Sequence, residues 1–277
     1  MPMLKTALKG LLSDEEIRHL SSSFDVIGDI VIIKIPSELS AKESLIGEEL
    51  LHHMKNVVTV LKQNSDVQGE YRTRDVSVIA GQEKYETVYK ESGISLKVDV
   101  RSVYFSPRLS TERLRIRSLV NEDESIFNMF AGVGTFSFVL AKTANCRVYS
   151  IDKNPEAIRL ATESLELNKR LKGTVIPILS DASEFASLHA NEFDRILMPL
   201  PERSKDFLHS ALISAKESGA ILHYYVHVPE DEFKDRSWIN RHIDEIGINR
   251  KHEVLVWKRV REVGPRYIQA VADILLK

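Results

Sequence analysis

The sequence has a single cysteine, Cys146, in 277 residues, which excludes an internal disulfide. It also has no apolar run approaching the roughly 20 residues that span a bilayer. Its first residues have neither the long apolar core nor the cleavage site of a signal peptide. These absences predict a protein of the reducing cytoplasm without a membrane segment.

The sequence also has little excess charge, since the formal net charge is −2. Nucleic-acid binders are often basic, but only the docking face must attract phosphates, so the distribution of charge matters more than its sum. Two segments concentrate basic side chains: Arg101, Arg108, Arg113, Arg115 and Arg117 in the first, and Lys258, Arg259, Arg261 and Arg266 in the second.

Residues 1–101 have the mixed pattern of a small α+β domain. The predicted elements are a helix at 14–20, opened by a capping box of Ser13 and Glu16, a strand at Asp29–Ile35 ended by Pro36, a helix at about 41–61, and a hairpin of Val88–Lys90 and Ile94–Val100.

Residues 102–277 change to short apolar strands that alternate with helices, which predicts βαβ units and a doubly wound parallel sheet. Ligands of such sheets bind at the carboxyl ends of the strands. The expected strands are 125–130, 147–151, 174–178, 193–198 and 220–228, with helices at 155–169 and 203–217 and an antiparallel edge pair at 255–260 and 267–275.

The segment Ile126–Ser137 predicts a strand, a glycine turn at Gly132 and Gly134, and a helix. Asp152 follows Gly132 by 20 residues, where an acidic residue binds ribose hydroxyls in nucleotide-binding α/β folds. Asp181 follows the next strand and could accept from an adenine amino group. A dinucleotide usually requires glycine or alanine where Ser137 stands, so S-adenosylmethionine fits better. The remaining residues of this candidate site are Phe130, Lys153 and Ala182.

Several motifs resemble one family, the archaeal and eukaryotic tRNA (guanine(37)-N1)-methyltransferases, and within it the archaeal branch linked to wyosine synthesis. They are Phe24–Val31, Gly69–Arg74, Tyr104–Arg113, Asn128–Phe136 and Leu222–Tyr225. Most family members carry a further N-terminal domain that contacts the outer corner of tRNA. Because the Phe24–Val31 motif comes so early, we expect this chain to lack that domain.

The resemblance implies a Rossmann-like methyltransferase domain of class I joined to the small domain, which would face RNA. It implies S-adenosylmethionine as cofactor and the anticodon-loop region of tRNA as partner. The implied catalytic roles are Glu112 as the base that takes the N1 proton and Arg74 as the partner of the charge developing on O6. Arg113 would meet the carboxylate of the cofactor. Tyr104, Arg108, Pro199 and Pro201 are the candidate substrate-binding residues; Tyr104 fits core packing equally well.

Two positions depart from the family pattern. Pro199 stands where related amino-methylating enzymes have asparagine, and Asn128 stands where the family often has aspartate. Proline has neither a side-chain amide nor a backbone donor, so the pocket must meet its target base differently. We therefore expect a pocket that also accepts a tricyclic guanosine derivative, with methylation at C7.

Three other functions fit parts of the sequence. The same family contains wyosine-pathway enzymes that transfer an aminocarboxypropyl group, but these resemble a Gly-Tyr run where this chain has Pro-Leu-Pro. An oxidoreductase is disfavoured by Ser137 and the arginine-rich linker, and a non-catalytic RNA-binding module by the retained Glu112 and Arg74. The sequence offers no metal-ligand spacing, and we expect a monomer without a metal.

Overall fold

The computed structural model describes residues 2–20, 23–235, 237–245 and 250–277. The chain divides into two compact units, each with a hydrophobic core. The first unit comprises the residues up to Glu91 together with Ser95–Arg108, and the second comprises Ser92–Ile94 together with Leu109–Lys277. The functional boundary predicted between residues 101 and 102 stays a prediction.

The first unit is built on a four-stranded mixed sheet with the order β1-β2-β3-β4, in which only the β2–β3 pair is parallel. The predicted capping box is confirmed, since Ser13 and Glu16 exchange hydrogen bonds at the start of α2. The unit's elements are α1 Pro2–Ala7, α2 Asp14–His19, β1 Phe24–Ile27, β2 Ile30–Ile33, α3 Glu43–His53, β3 Thr59–Gln63, β4 Val76–Gly81, β5 Glu86–Glu91 and β6 Ile94–Asp99.

The helix predicted at about 41–61 is wrong beyond His53. A 3-10 turn at Ser37–Lys42 precedes α3, and β3 occupies Thr59–Gln63. Its β-branched residues favour an extended backbone, and β3 is an inner strand between β2 and β4. The helical periodicity is therefore overridden by backbone hydrogen bonds to two neighbouring strands and by the burial of Val60 and Leu61.

The second unit contains a seven-stranded sheet with the order β12-β13-β11-β10-β7-β8-β9. Five neighbouring strands, β11, β10, β7, β8 and β9, run parallel to one another. At the other edge β13 pairs antiparallel with β11, and β12 pairs antiparallel with β13. The predicted doubly wound α/β fold is confirmed. The elements are α4 Ser110–Arg117, β7 Ser125–Asn128, α5 Thr135–Ala141, β8 Arg147–Asp152, α6 Pro155–Leu167, β9 Thr174–Leu179, α7 Ala182–Leu188, β10 Arg195–Met198, α8 Ser204–Ser214, β11 Ala220–Pro229, α9 Glu230–Lys234, α10 Ser237–Glu245, β12 His252–Gly264 and β13 Tyr267–Leu276.

The order of the strands reverses between β7 and β10. From β7 the chain builds outward through β8 and β9, then returns to place β10 on the other side of β7. Ligands of open α/β sheets bind in the crevice at such a reversal, outside the carboxyl ends of the strands.

The two edges of this sheet are irregular. Strand β9 carries Pro177, and β12 shifts its register against β13 at three places, between Val254 and Val256, Arg259 and Arg261, and Glu262 and Gly264. Among the described residues, none of the helices is long and apolar enough to cross a membrane.

Candidate functional site

The turn that follows β7 is shaped by two glycines with left-handed backbones. The φ angles are +54° at Gly132 and +81° at Gly134, a region that side chains disfavour. At Gly134 a Cβ would also lie 3.1 Å from the ring of Phe138. The turn leads directly into α5 at Thr135, so backbone amides and the start of a helix face the reversal point of the sheet.

Asp152 ends β8 beside this turn. Its Oδ2 accepts from the amide of Gly132 at 2.7 Å, and its Oδ1 accepts from the amide of Asn154 at 2.9 Å. Burial raises the pKa of Asp152, while these amides oppose the shift. Each carboxylate oxygen can accept a second hydrogen bond, so the pair fits the two adjacent hydroxyls of a ribose.

Asp181 follows β9 and caps α7. Its Oδ1 accepts from the amides of Ser183 and Glu184 at 2.7 and 3.3 Å, and its Oδ2 lies 3.3 Å from Nζ of Lys153. Partial burial would raise the pKa of Asp181, but these amides and Lys153 lower it. The structure thus gives Asp181 a capping role, next to buried Ala182, and its contact with an adenine stays a prediction.

Asn128, the last residue of β7, lies fully buried beneath the turn. Its Nδ2 donates to Oγ of Ser137 at 3.0 Å, and Ser137 is in turn bonded to Ser150. The Oδ1 of Asn128 has no hydrogen-bond partner among the described residues. This edge of the sheet therefore combines the glycine turn, the carboxylate of Asp152 and the unpaired acceptor of Asn128. Together these groups fit a polar nucleoside cofactor.

Pro199 and Pro201 lie in the segment that follows β10. Ser204 closes this segment by donating to the carbonyl of Leu200 at 2.8 Å. Both prolines are partly exposed. Phe130 lies after the neighbouring strand and packs edge-on against Phe207, with ring centroids 4.8 Å apart. Phe130 after β7 therefore packs on α8, and the two prolines follow β10 at the same carboxyl end of the sheet.

Glu112 and Arg113 lie on α4 and are both buried. Both oxygens of Glu112 are bound to Arg115, at 2.7 Å from Nη2 and 2.9 Å from Nε, and Oε1 also accepts from the hydroxyl of Tyr225 at 2.8 Å. Tyr224 pairs with Met198, the last residue of β10, so Tyr225 lies level with the Pro199 segment. The ring of Tyr225 contacts Phe136 in the first turn of α5. Glu112 is therefore held at the same edge of the sheet as the glycine turn.

Arg115, which is partly exposed, extends this contact into a chain of charged side chains that are otherwise buried. Its guanidinium binds Asp273 of β13 with two hydrogen bonds, at 2.5 and 3.1 Å. Asp273 contacts Nδ1 of His223 at 2.6 Å, and Nε2 of His223 contacts Arg195 at 2.7 Å. Arg195 binds both oxygens of Glu124, at 2.7 and 2.8 Å. We call this set the buried ion chain: Glu112, Arg115, Asp273, His223, Arg195 and Glu124.

The protonation of His223 follows from its neighbours. A guanidinium can only donate, so Nε2 of His223 must accept from Arg195, and the ring proton lies on Nδ1 and is donated to Asp273. Burial lowers the pKa of His223, in agreement with a neutral ring. Burial would raise the pKa of Asp273, but His223 and Arg115 hold it well below its usual value.

The other candidate residues lie in the first unit. Arg74 donates to the carbonyl of Phe105 at 3.0 Å and to Gln63 at 3.3 Å, and it lies 3.9 Å from the carboxylate of Asp25. Asp25 also accepts from Nε of the exposed Arg108 at 2.8 Å.

Tyr104 lies under the guanidinium of Arg72, whose Cζ is 4.5 Å from the ring centroid. Tyr104 is half-buried, so both roles predicted for it, in the core and in the site, stay predictions.

Sequence reasoning missed Tyr225 as a partner of Glu112, and Asp273 as the second carboxylate bound to Arg115. The available signal was a polar residue within an otherwise apolar strand, as in Leu222–Tyr225 and in Ala270–Leu276. Such a residue must find a partner when it is buried. Among the described residues, no cluster of three or more histidine, cysteine, aspartate or glutamate side chains could hold a metal.

The reversal of strand order, the glycine turn and Asp152 define the class: a Rossmann-like domain with a site for a nucleoside cofactor. Comparison with known families identifies it further. Residues 87–255 match the TRM5/TYW2 methyltransferase domain, and residues 4–84 match the TYW2 N-terminal domain. The chain belongs to the TRM5/TYW2 methyltransferase family.

Individual relatives are similar over most of the chain. It is 42% identical over 258 residues to the tRNA (guanine(37)-N(1))-methyltransferase Trm5b of Pyrococcus abyssi, covering 92% of this chain and 75% of that protein. It is 35% identical over 274 residues to the tRNA 4-demethylwyosine(37)-methyltransferase Taw21 of Saccharolobus solfataricus, covering 98% and 99%. The solved complex of aTrm5 and tRNALeu superposes with a TM-score of 0.85 at 32% identity, over all of this chain and 78% of that one.

Proposed function

We propose that this protein is a tRNA methyltransferase that transfers a methyl group from S-adenosylmethionine to N1 of guanosine 37. The observation that carries the proposal is the position of Glu112, a buried carboxylate held at the same sheet edge as the glycine turn and Asp152. The similarity to Trm5b over 92% of the chain supports the choice of substrate.

The cofactor site would be formed by the turn of Gly132 and Gly134, with Asp152 binding the ribose. Phe130, Lys153, Asp181 and Ala182 would line the adenosine part, and Arg113 would meet the carboxylate of the methionine part. When bound, S-adenosylmethionine supplies an electrophilic methyl group. The protein's own contribution is to hold the cofactor and the target base in line.

The target base must lose a proton, because N1 of guanine is protonated at neutral pH. In the proposed mechanism Glu112 accepts that proton, and Arg74 stabilises the negative charge that develops on O6. Burial of Arg74 lowers the pKa of its guanidinium, and the charge of Asp25 opposes this shift. A guanidinium is not deprotonated in proteins, so the group is a cation. Tyr104 and Arg108 would contact the tRNA beside the base.

Pro199 and Pro201 would form the wall against which the base lies. An apolar wall imposes a smaller penalty on a larger planar base than an unpaired amide would. We therefore propose that the tricyclic wyosine precursor is a second substrate, methylated at C7. The similarity to Taw21 over 98% of this chain specifically favours this second activity.

The test is to incubate the enzyme with labelled S-adenosylmethionine and tRNA carrying either guanosine or the tricyclic precursor at position 37. Mass spectrometry of the nucleosides should find 1-methylguanosine from the first and a C7-methylated base from the second. A transcript with adenosine at position 37 is the matched control and should give neither product. Absence of 1-methylguanosine would contradict the main proposal, and absence of the second product only the permissive pocket.

The by-product separates methyl transfer from aminocarboxypropyl transfer. Transfer of the methyl group leaves S-adenosylhomocysteine, whereas transfer of the aminocarboxypropyl group leaves methylthioadenosine. The Pro-Leu-Pro segment at 199–201 favours the first. Methylthioadenosine as the product would reverse the assignment.

We further propose that the first unit faces the anticodon-loop region of the tRNA. The exposed Arg108 and the half-buried Arg72 and Arg74 supply cations there. The enzyme would act as a cytoplasmic monomer, which sedimentation with and without tRNA would test.

A further inference from the structure

The carboxylate of Glu112 accepts more hydrogen bonds than is usual for a group that takes up a proton. Its two oxygens accept three hydrogen bonds, two from Arg115 and one from Tyr225. A guanidinium bound to both oxygens occupies lone pairs that an incoming proton would use. If Arg115 belonged to Glu112 alone, taking up a proton would leave a largely buried cation without a carboxylate partner.

Arg115 does not belong to Glu112 alone, because Asp273 also binds it with two hydrogen bonds. Asp273 is itself held in place, since His223 donates to its Oδ1. When Glu112 becomes neutral, Arg115 therefore keeps a carboxylate partner on its other side.

We propose that Asp273 and Tyr225 are positioning residues for proton transfer to Glu112, with opposite effects. Asp273 shares Arg115 and so lets Glu112 become neutral, whereas the hydroxyl of Tyr225 donates to Oε1 and so stabilises the carboxylate. This inference rests on the proposed function, in which Glu112 accepts the N1 proton. Glu112 is bonded to Arg115 of α4 and Tyr225 of β11, with Arg113 as the buried cation next to it in the helix. Beyond Arg115 lie Asp273 of β13 and His223 of β11.

The experiment measures single-turnover methyl transfer to tRNA against pH, at saturating cofactor. In the wild type the rate should rise along an acid limb as Glu112 ionises. In Asp273→Asn, Arg115 binds Glu112 alone, so the midpoint of this limb should move to lower pH by about one unit, and the plateau should fall by about tenfold because the base is weaker.

Tyr225→Phe removes one hydrogen bond to the ionised carboxylate and keeps the ring that packs on Phe136. The midpoint of the acid limb should move to higher pH, opposite to the effect of Asp273→Asn. If Asp273→Asn fails to fold, the midpoint measured for Tyr225→Phe still tests the proposal. A matched control is Glu253→Gln, an exposed carboxylate on the adjacent strand β12 that pairs only with Lys277 among the interactions described, and it should leave the profile unchanged.

Midpoints that stay at the wild-type value in folded variants, or that move in the same direction, would overturn the positioning roles. A merely structural role would lower the rate or the stability without shifting the midpoints in opposite directions. Glu112→Gln distinguishes this failure from failure of the proposed function. If that variant retains the wild-type rate, Glu112 is not the base; if it loses the rate while the other midpoints are unmoved, only the positioning inference fails.

Discussion

The two halves of the seven-stranded sheet provide different hydrogen-bond partners for their polar side chains. On the side of β7, β8 and β9, the polar groups of the site are bound by backbone amides, as Asp152 is by Gly132 and Asn154. On the side of β10, β11 and β13, charged side chains are buried and bind one another across strands. The first half presents acceptors to a ligand, and the second holds its charges at fixed positions. Each of the following predictions tests this contrast.

The largest effect is expected from Arg195→Met in the second half. The substitution leaves Glu124 buried without its guanidinium and His223 without its donor, so the free energy of unfolding should fall by about 3–5 kcal/mol. Chemical denaturation measures this loss. Arg159→Met on the exposed face of α6 removes two surface ion pairs and should cost under about 1 kcal/mol. Equal losses in the two variants would contradict the contrast.

Asp152→Ala in the first half should instead affect binding. The loss of charged hydrogen bonds to the ribose should weaken S-adenosylmethionine binding by about 1–3 kcal/mol, as measured by calorimetry. NAD should bind neither protein. Unchanged affinity in the variant would remove Asp152 from the cofactor site.

His223→Gln tests the protonation of the buried ion chain, since an amide can donate to Asp273 and accept from Arg195 as the neutral ring does. Burial lowers the pKa of His223 in the folded state, so the unfolded chain binds more protons here below about pH 6.5. The stabilisation that the neutral His223 ring provides is present in full above that pH. It is lost as the pH falls, by at most about 1.4 kcal/mol for each pH unit. The difference in unfolding free energy between wild type and variant should therefore shrink from pH 7 to pH 5. A difference that grows as the pH falls would indicate a charged ring, and a constant difference would contradict a lowered pKa of His223. Exposed His209→Gln is the control.

The smallest effect is expected from Pro199→Asn, at the junction of the two halves. The amide adds a donor and an acceptor that a tricyclic base cannot both satisfy, so the ratio of methylation on the precursor to that on guanosine should fall by about tenfold. Competition between the two tRNAs measures this ratio. A ratio equal to that of the wild type would show that Pro199 does not set the selectivity.

The same contrast explains what the sequence could predict. The strands, the glycine turn and Asp152 follow from local patterns, because short apolar runs between helices, a pair of glycines and a spacing of 20 residues are all visible along the chain. The edge pair of β12 and β13 was also predictable from the turn at Gly264 and Pro265. The boundaries of α3 and β3 were not, because burial between two strands decided them.

The buried ion chain could not be predicted in the same way, because its contacts join residues far apart in sequence. Glu112 and Tyr225 are 113 positions apart, and Arg115 and Asp273 are 158 apart. A single charged residue inside an apolar strand indicates that a partner exists but not which residue it is. Arg195 and Asp273 are each such a charged residue inside an apolar strand. Only the folded structure shows that His223 lies between them and contacts both.

The irregular edges of the second unit's sheet have a consequence for its behaviour in concentrated solution. A regular edge strand offers unpaired amides and carbonyls to any other exposed strand, which is a route to aggregation. Pro177 removes one donor from β9, and the three register shifts bend β12 away from a flat edge. Replacing Pro177 with a β-branched residue should therefore make the protein more prone to self-association through strand addition, with little change in the site.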